Sequence, residues 1–383
     1  MSGPQIAVIG LGATGSAVLF QLARRGIRTV GIERFELGHD RGSSHGPTRI
    51  IRLAHFENPS YGPMMRRGYA LWRELETIAG AKLIFTTGIV EIGLAEGALV
   101  RGTVAGASRY GLPHEILDAR SLMRRYPSFM LPHDSVGVFQ PDGGYIAAAA
   151  ALDATLRIAV AAGAVVRTSE TVLSVEPRPN GVRIRTDRAD IEADAAIVAA
   201  GPWMQKLLPD LRLPLRVTRQ VVAWFEPVDL AQFSEDRFPV FILESEHGHH
   251  YGFPVYGHDG IKIAKHHHQR EVVDADTYDR LVSAADEMAI RAPLAAYLPA
   301  ANGRLISAQA CLYTMTPDET FIIDRMAGFP HIIIASPCCG HGFKFSPVVG
   351  EILADLVTRG TTDHAIGQFR LQRFAEPANG TIA

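Results

Sequence analysis

The sequence predicts an α/β chain in which a domain built on a parallel sheet is interrupted twice by an α+β domain whose sheet is mainly antiparallel. Three observations lead there. The chain opens on strand, glycine-rich turn, helix and strand, which is one βαβ unit. Apolar buried-strand patterns return late, at residues 195–200 and 332–335, each followed by a glycine-containing turn. Between these pieces lie runs of short strands that do not alternate regularly with helices.

Taken in order, residues 6–9 form a branched apolar run ending in Gly10-Leu11-Gly12-Ala13-Thr14-Gly15. Val18, Leu19, Leu22 and Ala23 then recur at helical spacing until Gly26, and 29–32 read as a second strand ending in Glu33. A helix is expected over 63–78. Short strands and one amphipathic helix, around 119–125, fill about 85–140. A helix over 147–162 stops at Gly163, and strands follow at 164–167, 172–175, 182–186 and 195–200. Further strands are expected at 217–225, 250–253 and 260–264, a helix at 275–292, a strand at 332–335 and a helix at 348–357. The expected division is 1–84, 146–215 and 306–383 for the parallel-sheet domain, with 85–145 and 216–305 inserted.

Composition excludes several classes. The 383 residues are 47% hydrophobic, which is ample for large cores. Lysines and arginines number 38 against 40 acids, so no basic excess calls for nucleic acid. The three cysteines, Cys311, Cys338 and Cys339, are too few and too odd in number for a disulfide scaffold and point to a reducing, cytoplasmic setting. No basic leader followed by an apolar stretch opens the chain, and no run of about 18 apolar residues occurs, so neither a signal peptide nor a membrane span is expected.

Gly10, Gly12 and Gly15 match G-x-G-x-x-G in its strand–helix context. The first glycine permits the tight turn, the second lets backbone N–H groups approach a pyrophosphate, and the third lets the helix pack on the strand. The pyrophosphate would sit at the helix N-terminus beside Ala13 and Thr14. Glu33, 18 residues after Gly15, can accept adenosine ribose hydroxyls and repel a 2′-phosphate. The motif does not itself separate FAD from NAD. The strand 195–200 running into Gly201, without a second glycine fingerprint, favours FAD.

Longer blocks carry a resemblance. Gly42-Ser43-Ser44-His45-Gly46-Pro47-Thr48-Arg49-Ile50-Ile51-Arg52, Tyr251-Gly252-Phe253-Pro254, Lys262-Ile263-Ala264-Lys265-His266, Ala310-Cys311-Leu312-Tyr313-Thr314 and Gly340-His341-Gly342-Phe343-Lys344-Phe345-Ser346 follow one another in the order found in a known family. So do Pro317-Asp318-Glu319 and Phe321-Ile322-Ile323-Asp324. Together they resemble the monomeric sarcosine oxidase and N-methyltryptophan oxidase family of FAD-dependent amine oxidases. The resemblance implies a Rossmann-like FAD-binding domain with an inserted antiparallel-sheet catalytic domain, a cleft between them, and a monomer. It implies that Cys311 bonds covalently to the 8α carbon of the flavin. Arg52 and Lys344 would hold a substrate carboxylate. Arg49 and Lys262 would lie against the flavin ring, with Lys262 promoting reaction with oxygen. Tyr251, His266 and Tyr313 would line the substrate pocket, and His341 would sit beside the flavin. Arg34, Ser43, Ser44, Thr48, Val172, Gly201, Trp203, Gly340, Gly342 and Phe343 are expected around the cofactor on the same ground. The chain departs from the family pattern at Ser336-Pro337-Cys338-Cys339, where small residues and a serine are usual, so the family's substrates do not transfer directly.

The residues also carry chemistry of their own. Arg49 and Arg52, three apart, share a face if 48–54 is helical, and a guanidinium is the natural bidentate partner of a carboxylate. Lys344 lies between Phe343 and Phe345, an unusual setting for a solvated lysine. Lys262 alternates with Ile261 and Ile263 and faces the other side of its strand. A buried cysteine such as Cys311 is, on composition alone, most often a small apolar residue. Cys338-Cys339 leaves open a strained disulfide, a soft-metal site or simple space filling. The run His266-His267-His268 fits no zinc spacing, and no metal is expected. The expected reaction is oxidation of the C–N bond of a small N-methyl or cyclic amino acid, giving an imine and hydrogen peroxide. The alternatives are an FAD dehydrogenase with another electron acceptor, an NAD enzyme, and a binding protein with a vestigial site.

Overall fold

The computed structural model describes residues 5–257 and 260–374. The chain divides into two compact units. One comprises residues 1–45, 151–217 and 313–383, the other 46–150 and 218–312.

The first unit is built on a six-stranded sheet. Its order is Ile322–Met326, Phe329–Ser336, Ala195–Val198, Gln5–Ile9, Arg28–Ile32, Val165–Arg167. The pairings are parallel, except that Ile322–Met326 runs antiparallel to its neighbour. Ala7, Ile9, Val30, Ile32, Ala196, Val198, Ile332 and Ile334 on one face and Val8, Ile197 and Ile333 on the other are all buried, the near-continuous apolar runs of strands covered on both faces. The helix Ala13–Arg24 packs on Ser346–Arg359 at Gly350, where an added Cβ would come within 2.7 Å of the Ala17 carbonyl carbon. A meander of Val172–Arg178, Gly181–Thr186 and Asp190–Ala193 adds a second, antiparallel sheet.

The second unit carries an eight-stranded sheet. Its order is Leu305–Met315, Arg216–Phe225, Ile261–Lys265, Gly248–Phe253, Val240–Ser245, Ile89–Leu94, Ser135–Gln140, Glu115–Asp118. From Arg216–Phe225 to Glu115–Asp118 the pairings are antiparallel apart from the parallel one of Val240–Ser245 with Ile89–Leu94. One face, with Val221, Ala223, Phe225, Ile261 and Ile263, packs into the main core of this unit. A small sheet joins Thr48–Ile51, Gly144–Ala147 and Ile84–Phe85.

Three expectations are corrected. Residues 48–54 are not helical. Thr48, Ile50 and Ile51 are β-branched and pair with Gly144–Ala147, so Arg49 and Arg52 do not share a helix face. The helix expected over 275–292 is only Ala284–Arg291. Upstream, the Asp274 and Asp279 carboxylates accept from the backbone N–H of Asp276 and Leu281, turns that compete with helix. Ser283 and Asp286 then form a capping box that sets the start. The division falls at His45/Gly46 rather than at residue 84, since the strand Thr48–Ile51 pairs within the second unit. A helix at Ala98–Arg109 was not anticipated. Among the described residues, no helix is long and apolar enough to cross a membrane.

Candidate active site

In the first unit the glycine-rich turn has the cradle that a pyrophosphate needs. Gly10 has φ of 87°, and a Cβ there would meet the Ala199 carbonyl oxygen at 2.7 Å. A Cβ at Gly15 would overlap the Gly10 carbonyl oxygen, so only glycine lets the helix sit this close to the strand. Gly12 caps the helix without a side chain, and a Cβ on it would press to 3.0 Å from Ser44 Oγ. The N-terminus is thereby left to a ligand anion. Ala13 N–H donates to Ser44 Oγ at 2.9 Å, which ties the turn to the expected Ser43-Ser44 segment.

Glu33 is buried beside this turn. Its carboxylate accepts from Leu11 N–H at 2.8 Å and Phe35 N–H at 3.1 Å, with His39 Nε2 at 3.3 Å. Burial opposes ionisation, but the bonds from His39 and the two backbone donors outweigh it and hold the carboxyl below its ordinary range. Arg34 lies over the rings of Phe35 and Trp203, at 5.2 and 5.7 Å from their centroids. Gly201, with φ of 51°, has open space where a side chain would be. Val172 instead packs against the apolar cluster containing Ile9 and Ile32. The helix start without a side chain on its cap residue, the glycine cradle and the fixed carboxylate fit an adenine dinucleotide such as FAD.

The turn carrying Gly340, His341, Gly342, Phe343 and Lys344 lies in the same unit. A Cβ at Gly342 would overlap the Pro337 carbonyl oxygen, which fixes how tightly the turn closes. Lys344 is buried and donates from Nζ to the His341 carbonyl at 2.9 Å. The His341 ring stacks on Phe321, with centroids 5.1 Å apart, and its Nδ1 lies 2.8 Å from the Cys339 carbonyl. Cys338 and Cys339 are free thiols. Cys339 takes a left-handed φ of 49° and sets its Sγ 3.3 Å from Thr316 Oγ1. Burial, with Cys339 alongside, pushes the Cys338 thiol up to about 12. Among the described residues no His, Cys, Asp and Glu group is arranged to hold a metal ion.

In the second unit, alternation places Lys262 on the sheet face opposite Ile261 and Ile263. It is nonetheless 4% exposed. Its Nζ donates to the Thr48 carbonyl at 3.0 Å and to Thr48 Oγ1 at 3.3 Å, and it lies 4.7 Å from the Phe253 ring centroid. Arg49 donates to the same Thr48 carbonyl at 2.9 Å. Cys311 is buried with Val222, Trp224 and Ala264, and Tyr251 packs against this cluster. Burial, and then Arg49, lower the basicity of Lys262 far below that of an ordinary lysine. Burial raises the Cys311 thiol, while Arg49 and Lys262 oppose the rise. Lys262, Arg49 and Cys311 are therefore one electrostatic group. His266 follows the Lys262 strand, and its N–H donates to the His249 carbonyl at 2.8 Å. Tyr313 is part-buried in the strand that begins at Leu305.

Arg52 is enclosed, at 2% exposure. Its Nη2 donates to both carboxylate oxygens of Glu57, at 2.6 and 2.7 Å, and its Nη1 donates to Glu91. The guanidinium stacks 4.7 Å from the Phe56 ring centroid. Burial drives the Glu91 carboxyl up, an effect that Arg52 opposes without cancelling. Glu57 and Glu91 were not among the expected site residues. Glu91 had a signal, a single acid within Ile89-Val90-Glu91-Ile92, whereas nothing in the sequence marks Glu57.

The chain is similar to known proteins over nearly its whole length. A family model described as FAD dependent oxidoreductase matches residues 5–356. Monomeric sarcosine oxidase of Streptomyces avermitilis is 37% identical over 97% of this chain and 97% of its own. N-methyl-L-tryptophan oxidase of Salmonella dublin is 34% identical over 96% and 98%. The structure of NikD, described as an unusual amino acid oxidase essential for nikkomycin biosynthesis, superposes with a TM-score of 0.83 at 26% identity, over 97% of this chain and 98% of its own. With its glycine cradle intact and its matches running nearly end to end, the chain belongs to the family of FAD-dependent oxidoreductases.

Proposed function

We propose that this chain is an amine oxidase that uses FAD to oxidise the carbon–nitrogen bond of a small N-methyl or cyclic amino acid. Oxygen is the final electron acceptor and hydrogen peroxide a product. The names of its relatives support the reaction class. The observation that carries the reading is buried Lys262 and Cys311 on one sheet face with part-buried Arg49 of the neighbouring small sheet beside them, an amine and a guanidinium set close to a thiol.

Bound FAD supplies a two-electron acceptor for the hydride leaving the carbon beside nitrogen and returns the electrons to oxygen. Gly10, Gly12, Ala13, Thr14, Gly15 and Glu33 would hold its adenosine diphosphate half, and Cys311 would be its point of covalent attachment. Arg52 and Lys344 serve as carboxylate-binding residues. At Arg52 the substrate carboxylate takes the place of Glu57 on Nη2. Tyr251, His266 and Tyr313 shape the pocket. The neighbouring cations favour a neutral amine, so its lone pair is available and no side-chain base is required. The imine product hydrolyses in water. The enzyme acts as a monomer, in keeping with the name of the sarcosine-oxidising relatives, and its sparse, odd cysteine count suits the cytoplasm.

A peroxide-coupled screen over N-methyl, N-alkyl and cyclic amino acids tests the reading. Peroxide formed in step with substrate loss supports it. Turnover with an artificial dye but not with oxygen would make the protein a dehydrogenase instead.

A further inference from the structure

Arg52 has more carboxylate around it than its charge requires. The Glu57 pair already neutralises it, yet Glu91, 0% exposed in the middle of the strand Ile89–Leu94, adds a second acid. Val90 and Ile92 on either side are also buried, and an apolar residue at position 91 would avoid the desolvation of a carboxylate. What Glu91 does is therefore to be sought in its bonds. Its Oε1 accepts from Arg52 Nη1 and its Oε2 accepts from Gln140 Nε2 at 2.9 Å. The Oε1 of Gln140 in turn accepts from the backbone N–H of Ala54 at 3.0 Å. The bonds converge on Glu91, which accepts from Arg52 on one side and from Gln140 on the other, while Gln140 accepts from Ala54.

We propose that Glu91 is a positioning residue, which through this chain of bonds fixes Arg52 and the backbone at Ala54 so that the Nη2 edge of the guanidinium is presented to a substrate carboxylate. The inference rests on the reading of Arg52 given above. Only a carboxylate can accept at both ends. An amide at position 91 that accepts from Arg52 turns its own NH2 on the NH2 of Gln140. If Gln140 rotates to relieve this, its NH2 faces the N–H of Ala54. One donor–donor clash remains wherever the chain is broken, in a place water does not reach. The strand also explains the choice of anchor. Position 91 is paired on both sides, with Val138 and Ile242, so Glu91 holds still while Glu57 lies outside any regular element.

The placing of donors and acceptors gives the test. Methoxyacetate is the unreactive ether counterpart of the smallest N-methyl amino acid. Its Kd is measured by titrating the flavin spectrum of the purified holoenzyme. The control is the rate at which dithionite-reduced enzyme reacts with oxygen in the absence of ligand. Glu91→Gln is expected to weaken methoxyacetate about tenfold or more while the oxygen rate stays within about twofold. The double variant Glu91→Gln with Gln140→Glu restores every donor–acceptor match with the charge moved one residue along, and should recover most of the affinity. If Glu91 were only a counter-charge, its neutralisation would tighten methoxyacetate, and that result overturns the proposal. So does unchanged affinity, or an equal loss in ligand binding and oxygen rate. Where the single variant fails to fold, the double variant decides: near-native affinity supports the proposal, and loss overturns it. Arg52→Ala is measured in parallel. Loss of affinity there, with none in Glu91→Gln, removes the inference and leaves the reading of Arg52 standing. No loss in Arg52→Ala removes the reading itself.

Discussion

A lysine enclosed on every side keeps its proton only if something nearby rewards the charge, and for Lys262 the nearby groups are mixed. Two oxygens of Thr48 accept its donors, while Arg49 repels it. Its ammonium is therefore fixed in direction and loosely protonated. Charge matters most where new charge appears. Oxygen arrives neutral and becomes superoxide in the first electron transfer, so a fixed cation lowers that barrier selectively. Lys262→Met keeps the stem and removes the charge. We expect the oxygen reaction of the reduced enzyme to slow about a hundredfold, equivalent to about 2.7 kcal/mol. Anaerobic reduction by substrate should change far less. The lowered basicity adds a sign. The protonated form predominates at low pH, so the native oxygen rate should fall as pH rises, with its midpoint below that of an ordinary lysine. The methionine variant should lack that step. Stopped-flow measurement of both half-reactions across pH checks it, and equal slowing of both would assign Lys262 a general structural part.

At the scale of single elements, the helix Ala284–Arg291 shows what a sequence pattern conveys and what it hides. Its strong start is readable in Ser283 and Asp286 once the capping box is considered, yet the apolar spacing upstream suggested a longer helix. Local bonds from Asp274 and Asp279 defeat that spacing, and such competition is invisible to periodicity. The strand Thr48–Ile51 is the converse case. Its branched residues were legible, but its partner lies almost a hundred residues away at Gly144–Ala147. The glycine cradle and Glu33 were readable because strand, turn and helix are adjacent in sequence. Glu57 and Glu91 were not assigned to the site because they meet Arg52 through space and not along the chain. The short helix also buries a histidine. His250 Nε2 lies 3.0 Å from the Ala289 carbonyl, and burial holds the ring down to about 4, although that bond and one to Gly248 pull it upward. Unfolded, the ring titrates near 6.5. Between these values the unfolded chain binds a proton that the folded chain refuses. Stability is thus full above about 6.5 and is lost as pH falls through 4, by about 3 kcal/mol from this residue. His250→Gln can keep a donor toward Ala289 without the titration. Urea midpoints at pH 7 and pH 4.5 should show the variant losing about 2–3 kcal/mol less than the native chain between the two. The same loss in both proteins would show that His250 does not titrate as its burial implies.

For the molecule as a whole, the cofactor is part of the fold's thermodynamics, and the manner of its attachment decides how. A ligand that binds only the folded state stabilises it by RT ln(1 + [L]/Kd), about 2.7 kcal/mol at a hundredfold excess over Kd. That gain depends on the free ligand concentration. A covalently held flavin has no free concentration to vary. If Cys311 is the attachment point, acid-precipitated native protein stays yellow, and its melting temperature ignores dilution and added FAD. Cys311→Ser leaves the glycine cradle and Glu33 in place, so it should still bind FAD, but reversibly. For a chain of 383 residues the unfolding entropy is about 0.8 kcal/mol per degree, so a hundredfold excess of FAD over Kd should raise the melting temperature of Cys311→Ser by about 3 °C. Adding Glu33→Ala to Cys311→Ser should move the same rise to higher FAD concentrations, if the carboxylate accepts from the ribose as proposed. Scanning calorimetry over a series of FAD concentrations separates the claims. A native protein whose melting temperature climbs with added FAD, and whose flavin is extracted by acid, has no covalent bond at Cys311. A Cys311→Ser protein that never responds to FAD has lost more than an attachment point, and the thiol then belongs to the packing of the sheet face with Val222, Trp224 and Ala264.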